Sequence, residues 1–432
     1  MGRDPLQKRE DPPMQQGAQQ SHEAVQADHA NTLMGQASAI LRQSNPQIKA
    51  AQTHRITKLW EQRQLVAGRT AVGDPPERPG RDDSKVRVVA PGKMPALGKG
   101  GSLASRQAIL HSLVHIESWA VDLSWDAVAR FGSDPQYALP EAFLDDFVQV
   151  ANDEASHFQQ LQQRLEAVGS SYGALPVHDG LWESAAATAH SLPARLAVES
   201  CVHEARGLDR LPHTIQRFRS SGDGESAKLL EKIYQEEVAH CAAGVRWLTY
   251  LHVQALTANH GQEHDTKQQL QNVTLAEPCT SSDTSSGSSL RPKQSTDVAL
   301  DVQHNSKACQ PGEQSGSEAC STMAANGMSV TESTQAAATV MQTSCAGLEA
   351  HAASEPEAKD SFSQAAKGTS ERTALHDWQA DAVKYATVEE WFHGLVRAHF
   401  KGSLKPPFNE EARAAAGFGP EWYLPLSSVT LR

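Results

Sequence analysis

At 432 residues the chain is long enough for two or three domains, yet only 39% of it is hydrophobic and the polar residues are unevenly spread, which fits a single buried core. It has no run of eighteen apolar residues, and its start, Met1-Gly-Arg-Asp-Pro5, lacks a charged-then-apolar leader pattern. This excludes a membrane-spanning helix and points to the cytoplasm, with an organelle as the alternative. The net charge of −12 argues only weakly against an anionic partner, because seven Lys/Arg against fourteen Asp/Glu between Ala255 and His376 supply more than half of the excess. The six cysteines show no CxxC spacing, so neither a zinc site nor a disulfide framework is indicated.

Residues 1–35, rich in Gln, Pro and charge, read as a disordered tail. From Ala37 to about Val66 the apolar residues Ile40, Leu41, Ile48, Ile56, Leu59, Trp60 and Leu65 predict one amphipathic helix. A breaker-rich connector follows, and then an extended strip from Val86 to Gly92 that lies on the helical core, completing an N-terminal region of 36–100. Residues 101–254 carry four helices. The first starts near Ser102 to Ser105 and runs to Phe131, with Ile109, Leu110, Leu113, Ile116, Ala120, Leu123 and Ala127 at helical spacing. The second runs from about Pro140 to Gly169, roughly 45 Å of helix at 1.5 Å per residue.

A turn-rich loop from Tyr172 to Trp182 leads into a helical stretch ending at His190. Pro193 then either kinks that helix or starts a new one behind Ser191. The third long helix continues through Asp209 and breaks near Leu211-Pro212, and the fourth spans roughly Glu225 to Val253. Residues 255–376, with Phe362 as the single aromatic residue, read as a long disordered insertion. Residues 377–432 supply an amphipathic helix from Asp377 to Phe400 and an aromatic tail that packs back on the core.

Chemistry is carried by an internal repeat. Glu237-Val-Ala-His240 nearly copies Glu154-Ala-Ser-His157, and in each the Glu and His three residues apart project from one helix face toward a single metal ion. Overlaying the two helical hairpins brings Glu117 and Asp122 onto Glu204 and Asp209, and Asp153-Glu154 onto Glu236-Glu237. Two helices that each give a Glu and two that each give Glu-x-x-His are what a four-helix bundle needs to hold two metal ions. Four carboxylates buried together repel one another at a cost of several kcal/mol, which two divalent cations cancel. The expected ligands are Glu117, Glu154, His157, Glu204, Glu237 and His240, with Glu154 and Glu204, or their repeat mates, bridging; Glu199 is the alternative to Glu204. Oxygen and nitrogen donors suit two iron ions, or manganese. Asp122 and Asp209 lie about 140° round the helix from their Glu partners and read as outer, inter-helix hydrogen-bonding groups. A lone Glu-x-x-His is most often a solvated pair, so the doubling carries the weight.

The segments His115-Ile-Glu-Ser-Trp-Ala-Val-Asp-Leu123, Asp153-Glu-Ala-Ser-His-Phe158, Pro176-Val-His-Asp-Gly-Leu-Trp182, His203-Glu-Ala-Arg-Gly-Leu-Asp209, Glu236-Glu-Val-Ala-His240 and Leu404-Lys-Pro-Pro-Phe-Asn409 resemble the ferritin-like family catalogued as domain of unknown function 455. The resemblance implies an all-α fold, a ferritin-like four-helix core with a di-metal centre. The insertion and Pro193 depart from the pattern. A looser similarity, through Glu204-Ala-Arg206, is to di-iron tRNA hydroxylases that act on a modified adenosine.

The leading expectation is a non-haem di-iron oxidoreductase that activates oxygen to oxidise or hydroxylate a small organic substrate or modified nucleotide. Tyr172, His178, Trp182 and Arg206, with Lys405 and Arg413, are the expected substrate mouth. The alternatives are iron oxidation or storage, and a non-catalytic helical scaffold that binds metal.

Overall fold

The computed structural model describes residues 31–68, 75–82, 84–260 and 375–427. The chain divides into two units, 1–285 with 373–432 and 286–372, and the described residues all belong to the first. Among them every regular element is helical. The expected disordered tail up to residue 30 and residues 261–374 of the insertion expected over 255–376 lie outside the described residues, while residues 255–260 of that insertion are helical instead.

The single N-terminal helix expected from Ala37 is two helices, α1 (Leu33–Arg42) and α2 (Pro46–Glu61), and α1 begins inside the stretch read as a tail. Pro46 explains the break. Its ring disfavours helical backbone at Asn45, which is extended at φ −85° and ψ 117°. The Asn45 side chain then accepts hydrogen bonds from the Gln47 and Ile48 amides and restarts the helix. Ile48, expected to be an apolar contact, is 47% exposed. The strip after the connector is extended: the Val89 amide donates to the Val177 carbonyl at 2.8 Å and the Val177 amide to the Arg87 carbonyl at 3.0 Å.

The next helices are α3 (Leu103–Phe131), capped by the Ser102 hydroxyl, α4 (Glu141–Ala167) and the short α5 (Gly180–Ala187). Ser191 caps α6 (Leu192–Arg195), with Pro193 in the first turn, so the proline starts a helix. This runs on through a π-helical segment, Leu196–His203, into α7 (Glu204–Ser220). The fourth long helix, α8 (Gly224–His260), follows.

The expected break at Leu211-Pro212 does not occur, since α7 passes through Pro212. Proline has no amide hydrogen and leaves the Leu208 carbonyl, four residues back, without its helical partner. Asn409 Nδ2 donates to that carbonyl at 3.1 Å, so the C-terminal segment supplies the missing bond. That segment holds two helices where one was expected, α9 (Asp377–Ala382) and α10 (Val388–His399), followed by α11 (Glu410–Ala415) and α12 (Pro420–Ser427).

Helix α3 packs along α4, α7 along α8, and α4 against α8. Leu110, Trp125, Phe143, Phe158 and Trp247 are buried between them, each stabilising the fold by about 1.5–3 kcal/mol. Buried ion pairs fasten the outer elements. Asp122 on α3 takes Lys49 of α2 and Arg81 of the connector. Asp209 on α7 takes Arg413 of α11 at 2.6 Å.

The π-helical segment swings its backbone against α8, and a Cβ placed on Gly244 would lie 2.3 Å from the Ser200 carbonyl oxygen. Gly244→Ala must push the two helices apart, with an expected loss of about 1–3 kcal/mol in chemical denaturation. A change within a few tenths of a kcal/mol would mean that the segment yields freely.

Candidate metal centre

Glu117 comes from the middle of α3, Glu154 and His157 from α4, Glu204 from the first turn of α7, and Glu237 and His240 from α8. The structure brings all six together. One group of potential ligand atoms is Glu117, Glu154, His157 and Glu237, the other is Glu154, Glu204, Glu237 and His240, and within each group the atoms lie within 4.8 Å of one another. Glu154 and Glu237 belong to both groups, whereas Glu117 and Glu204 belong to one each. The carboxylates common to both groups are therefore the two Glu-x-x-His glutamates, Glu154 and its repeat mate Glu237. Glu199 is not in either group.

Both imidazoles aim Nδ1 inward. His157 Nδ1 lies 3.4 Å from Glu154 and 3.6 Å from Glu237, and His240 Nδ1 lies 3.1 Å from Glu154 and 3.3 Å from Glu237. None of these approaches makes a hydrogen bond, and both Nδ1 atoms and one Glu154 oxygen are buried without a partner. The outward Nε2 atoms are engaged across the repeat. His157 of α4 meets Glu236 of α8 at 2.9 Å, and His240 of α8 meets Asp153 of α4 at 3.5 Å. A carboxylate on the far nitrogen fixes the ring's orientation and raises its basicity as a donor. These two acids were not singled out from sequence, although each directly precedes its Glu-x-x-His glutamate, which was a usable signal.

Left to themselves, four of the six groups hold their protons more tightly than usual. Burial, and then the charge of Glu154, pushes Glu117 well above the usual carboxylate range; burial, and then Glu237, does the same to Glu204. Burial alone would raise Glu154 and lower the histidines. Contact between them reverses this, holding Glu154 low, lifting His157 to about 9 and lifting His240 well up. Four carboxylates and two imidazoles with orphaned inward atoms are a donor set that fits divalent cations of the iron and manganese type.

Asp122 and Asp209 touch none of the six. Both act as inter-helix groups, for Lys49 and Arg81 in one case and Arg413 and Asn409 in the other. The expected mouth does not assemble round one opening. Tyr172 hydroxyl meets His115 Nδ1 at 2.8 Å and lines a pocket with Arg78, Arg81, Trp119 and Asp179. His115 and Trp119 flank Glu117 two positions away on α3, so that pocket lies on the other side of the helix. Trp182 is buried against Trp119, with ring centres 5.6 Å apart. The His178 ring is exposed and accepts from the Gly180 amide. Arg206, on α7, is half-buried and is not in the pocket wall. Lys405 is exposed, and Arg413 is 1% exposed and committed to Asp209.

A family model described as "Protein of unknown function (DUF455)" matches residues 42–281, a span that contains all six clustered residues. An uncharacterized protein of Haemophilus influenzae is 34% identical over 223 residues, covering 49% of this chain and 75% of that protein. No solved structure matches the chain. The chain belongs to the protein family of unknown function DUF455.

Proposed function

We propose that α3, α4, α7 and α8 form a ferritin-like four-helix bundle whose six-residue cluster holds two iron ions, or manganese, and that the protein is an oxidoreductase that uses oxygen to oxidise an organic substrate. The observation that carries this reading is the pair of overlapping ligand groups sharing Glu154 and Glu237, with the unpartnered inward Nδ1 atoms of His157 and His240. Glu117 and His157 would complete one ion's set, and Glu204 and His240 the other's. Bound iron would supply one-electron redox chemistry and a place for oxygen to bind. The chain's own contribution is a buried, oriented donor set, with Asp153 and Glu236 holding the two imidazoles from outside.

Anaerobic titration of the full chain with Fe(II) is expected to end at two ions per chain, and admitting oxygen should then give a transient absorbing species. A titration that ends without binding would sink the proposal. Loading must also displace protons from Glu117, Glu204 and the two histidines, all of which resist deprotonation in the metal-free cluster. The sign follows: raised pKa values mean that protons compete below them, so apparent affinity for Co(II) rises with pH up to about the His157 value near 9. An affinity independent of pH would place the ions elsewhere.

A further inference from the structure

Beside the cluster, between α3, α4, the π-helical segment and α8, lies a cavity of about 30 Å³. This is room for roughly two water molecules. Ala120, Leu123, Ala127, Phe147 and Val150 give it mostly apolar walls, and Glu199, Glu204 and His240 all border it. In an α-helix, residues five apart diverge by about 140°. The i→i+5 repeat of the π-helical segment Leu196–His203 draws such residues toward one face, which lets Glu199 and Glu204 reach the same cavity.

Glu199 is 4% exposed, and among the described residues neither of its carboxyl oxygens is engaged in a hydrogen bond of good geometry, the Ser184 hydroxyl being the neighbour that acts on it. His203 Nε2, at 3.9 Å, is too far to donate. A buried carboxyl left this way is costly, so the partner that it lacks within the chain belongs in the cavity. We infer that this cavity is a chamber for a neutral ligand of roughly one or two heavy atoms, of the size of water, dioxygen or peroxide, and that the Glu199 carboxyl is its hydrogen-bonding group.

The surroundings select against other occupants. The apolar walls and small volume exclude a hydrated cation, and an organic substrate does not fit beside Glu199. The titratable neighbours are Arg195, neutralised by Asp126 at 2.6 Å, and His203 on the same helical run, which burial lowers to about 4, with Glu204 and His240 also facing the cavity. From α3 and α4 the wall receives Ser124 and apolar side chains. Burial pushes the Glu199 carboxyl up to about 7, against the opposing pull of Ser184 and Arg195. Near neutral pH it therefore offers an O–H donor as well as an acceptor.

The inference rests on the metal-centre reading only for what the ligand meets at Glu204 and His240, and its test needs no metal. Xenon NMR on the metal-free full chain should reveal one saturable site that is lost in both Ala120→Leu and Leu123→Phe. The infrared carbonyl band of a protonated carboxylic acid that disappears in Glu199→Gln should shift when xenon expels the cavity's water. Xenon uptake that survives both filling variants, or a Glu199 band indifferent to xenon, overturns the chamber. Failure of the wild-type chain to bind iron would end the metal-centre reading and leave these two results as they stand.

Discussion

Replacing Glu154 or Glu237 by alanine is expected to remove both metal ions, whereas replacing Glu117 or Glu204 should remove one. The asymmetry follows from membership, since Glu154 and Glu237 serve both ligand groups and the other two glutamates serve one each. Metal analysis after dialysis against Co(II) reads the difference directly, and loss of a single ion in all four variants would contradict shared carboxylates. The outer acids should act more gently. Asp153→Asn and Glu236→Gln leave every inward donor in place but release the far nitrogens of His240 and His157, so affinity should fall about 10–100-fold with stoichiometry unchanged.

Stability of the metal-free chain should move the opposite way. Glu204 is raised by burial and by Glu237, so at neutral pH the unfolded chain ionises it freely while the folded chain resists. Glu204→Gln removes that penalty, and the metal-free variant should melt higher than wild type while gaining less from added metal.

The six clustered residues were legible because a repeat doubled a weak motif: the spacing of Glu117 to Glu154 nearly matches that of Glu204 to Glu237. Helix starts were legible where a cap stands in the sequence, as at Ser102 and Ser191. What escaped depended on partners far along the chain or on changes of helical pitch. Pro212 looks like a breaker until Asn409, almost two hundred positions later, takes the carbonyl it frees. The π-helical segment shifts the phase of everything after it without altering composition, which is why Glu199 and Glu204 could not be separated by counting residues. The division of shared and unshared carboxylates likewise depends on how four helices meet. The mouth residues were chosen for chemical type alone, and type does not say which side of α3 a loop will cover.

Removing Asp126 should be the most damaging single change away from the metal cluster. Its carboxylate is completely buried on α3 and pairs with Arg195 at 2.6 Å and Arg130 at 2.7 Å. The Arg195 guanidinium, 2% exposed, also donates to Thr188 Oγ1 at 3.0 Å and the Ala185 carbonyl at 2.8 Å. Asp126→Ala leaves that guanidinium buried without a counter-charge, an expected loss of about 3–5 kcal/mol against a total stability of about 5–15 kcal/mol. Arg130, 19% exposed, can turn to solvent, so Arg130→Ala should cost far less. Burial alone would raise Asp126, but Arg195 and Arg130 overcome it and hold the group below the usual carboxylate value. Its stabilising contribution is then full above the unfolded pKa and disappears as pH falls through the lower folded value, so wild type and Asp126→Asn should converge in strong acid. Because Arg195 stands one helical turn before Glu199 and borders the same cavity, Asp126→Ala should also disturb xenon uptake, which Arg130→Ala should spare. Equal denaturation midpoints for Asp126→Ala and wild type at neutral pH would show that Arg195 finds water or another acceptor, and that the α6 turn is looser than its burial implies.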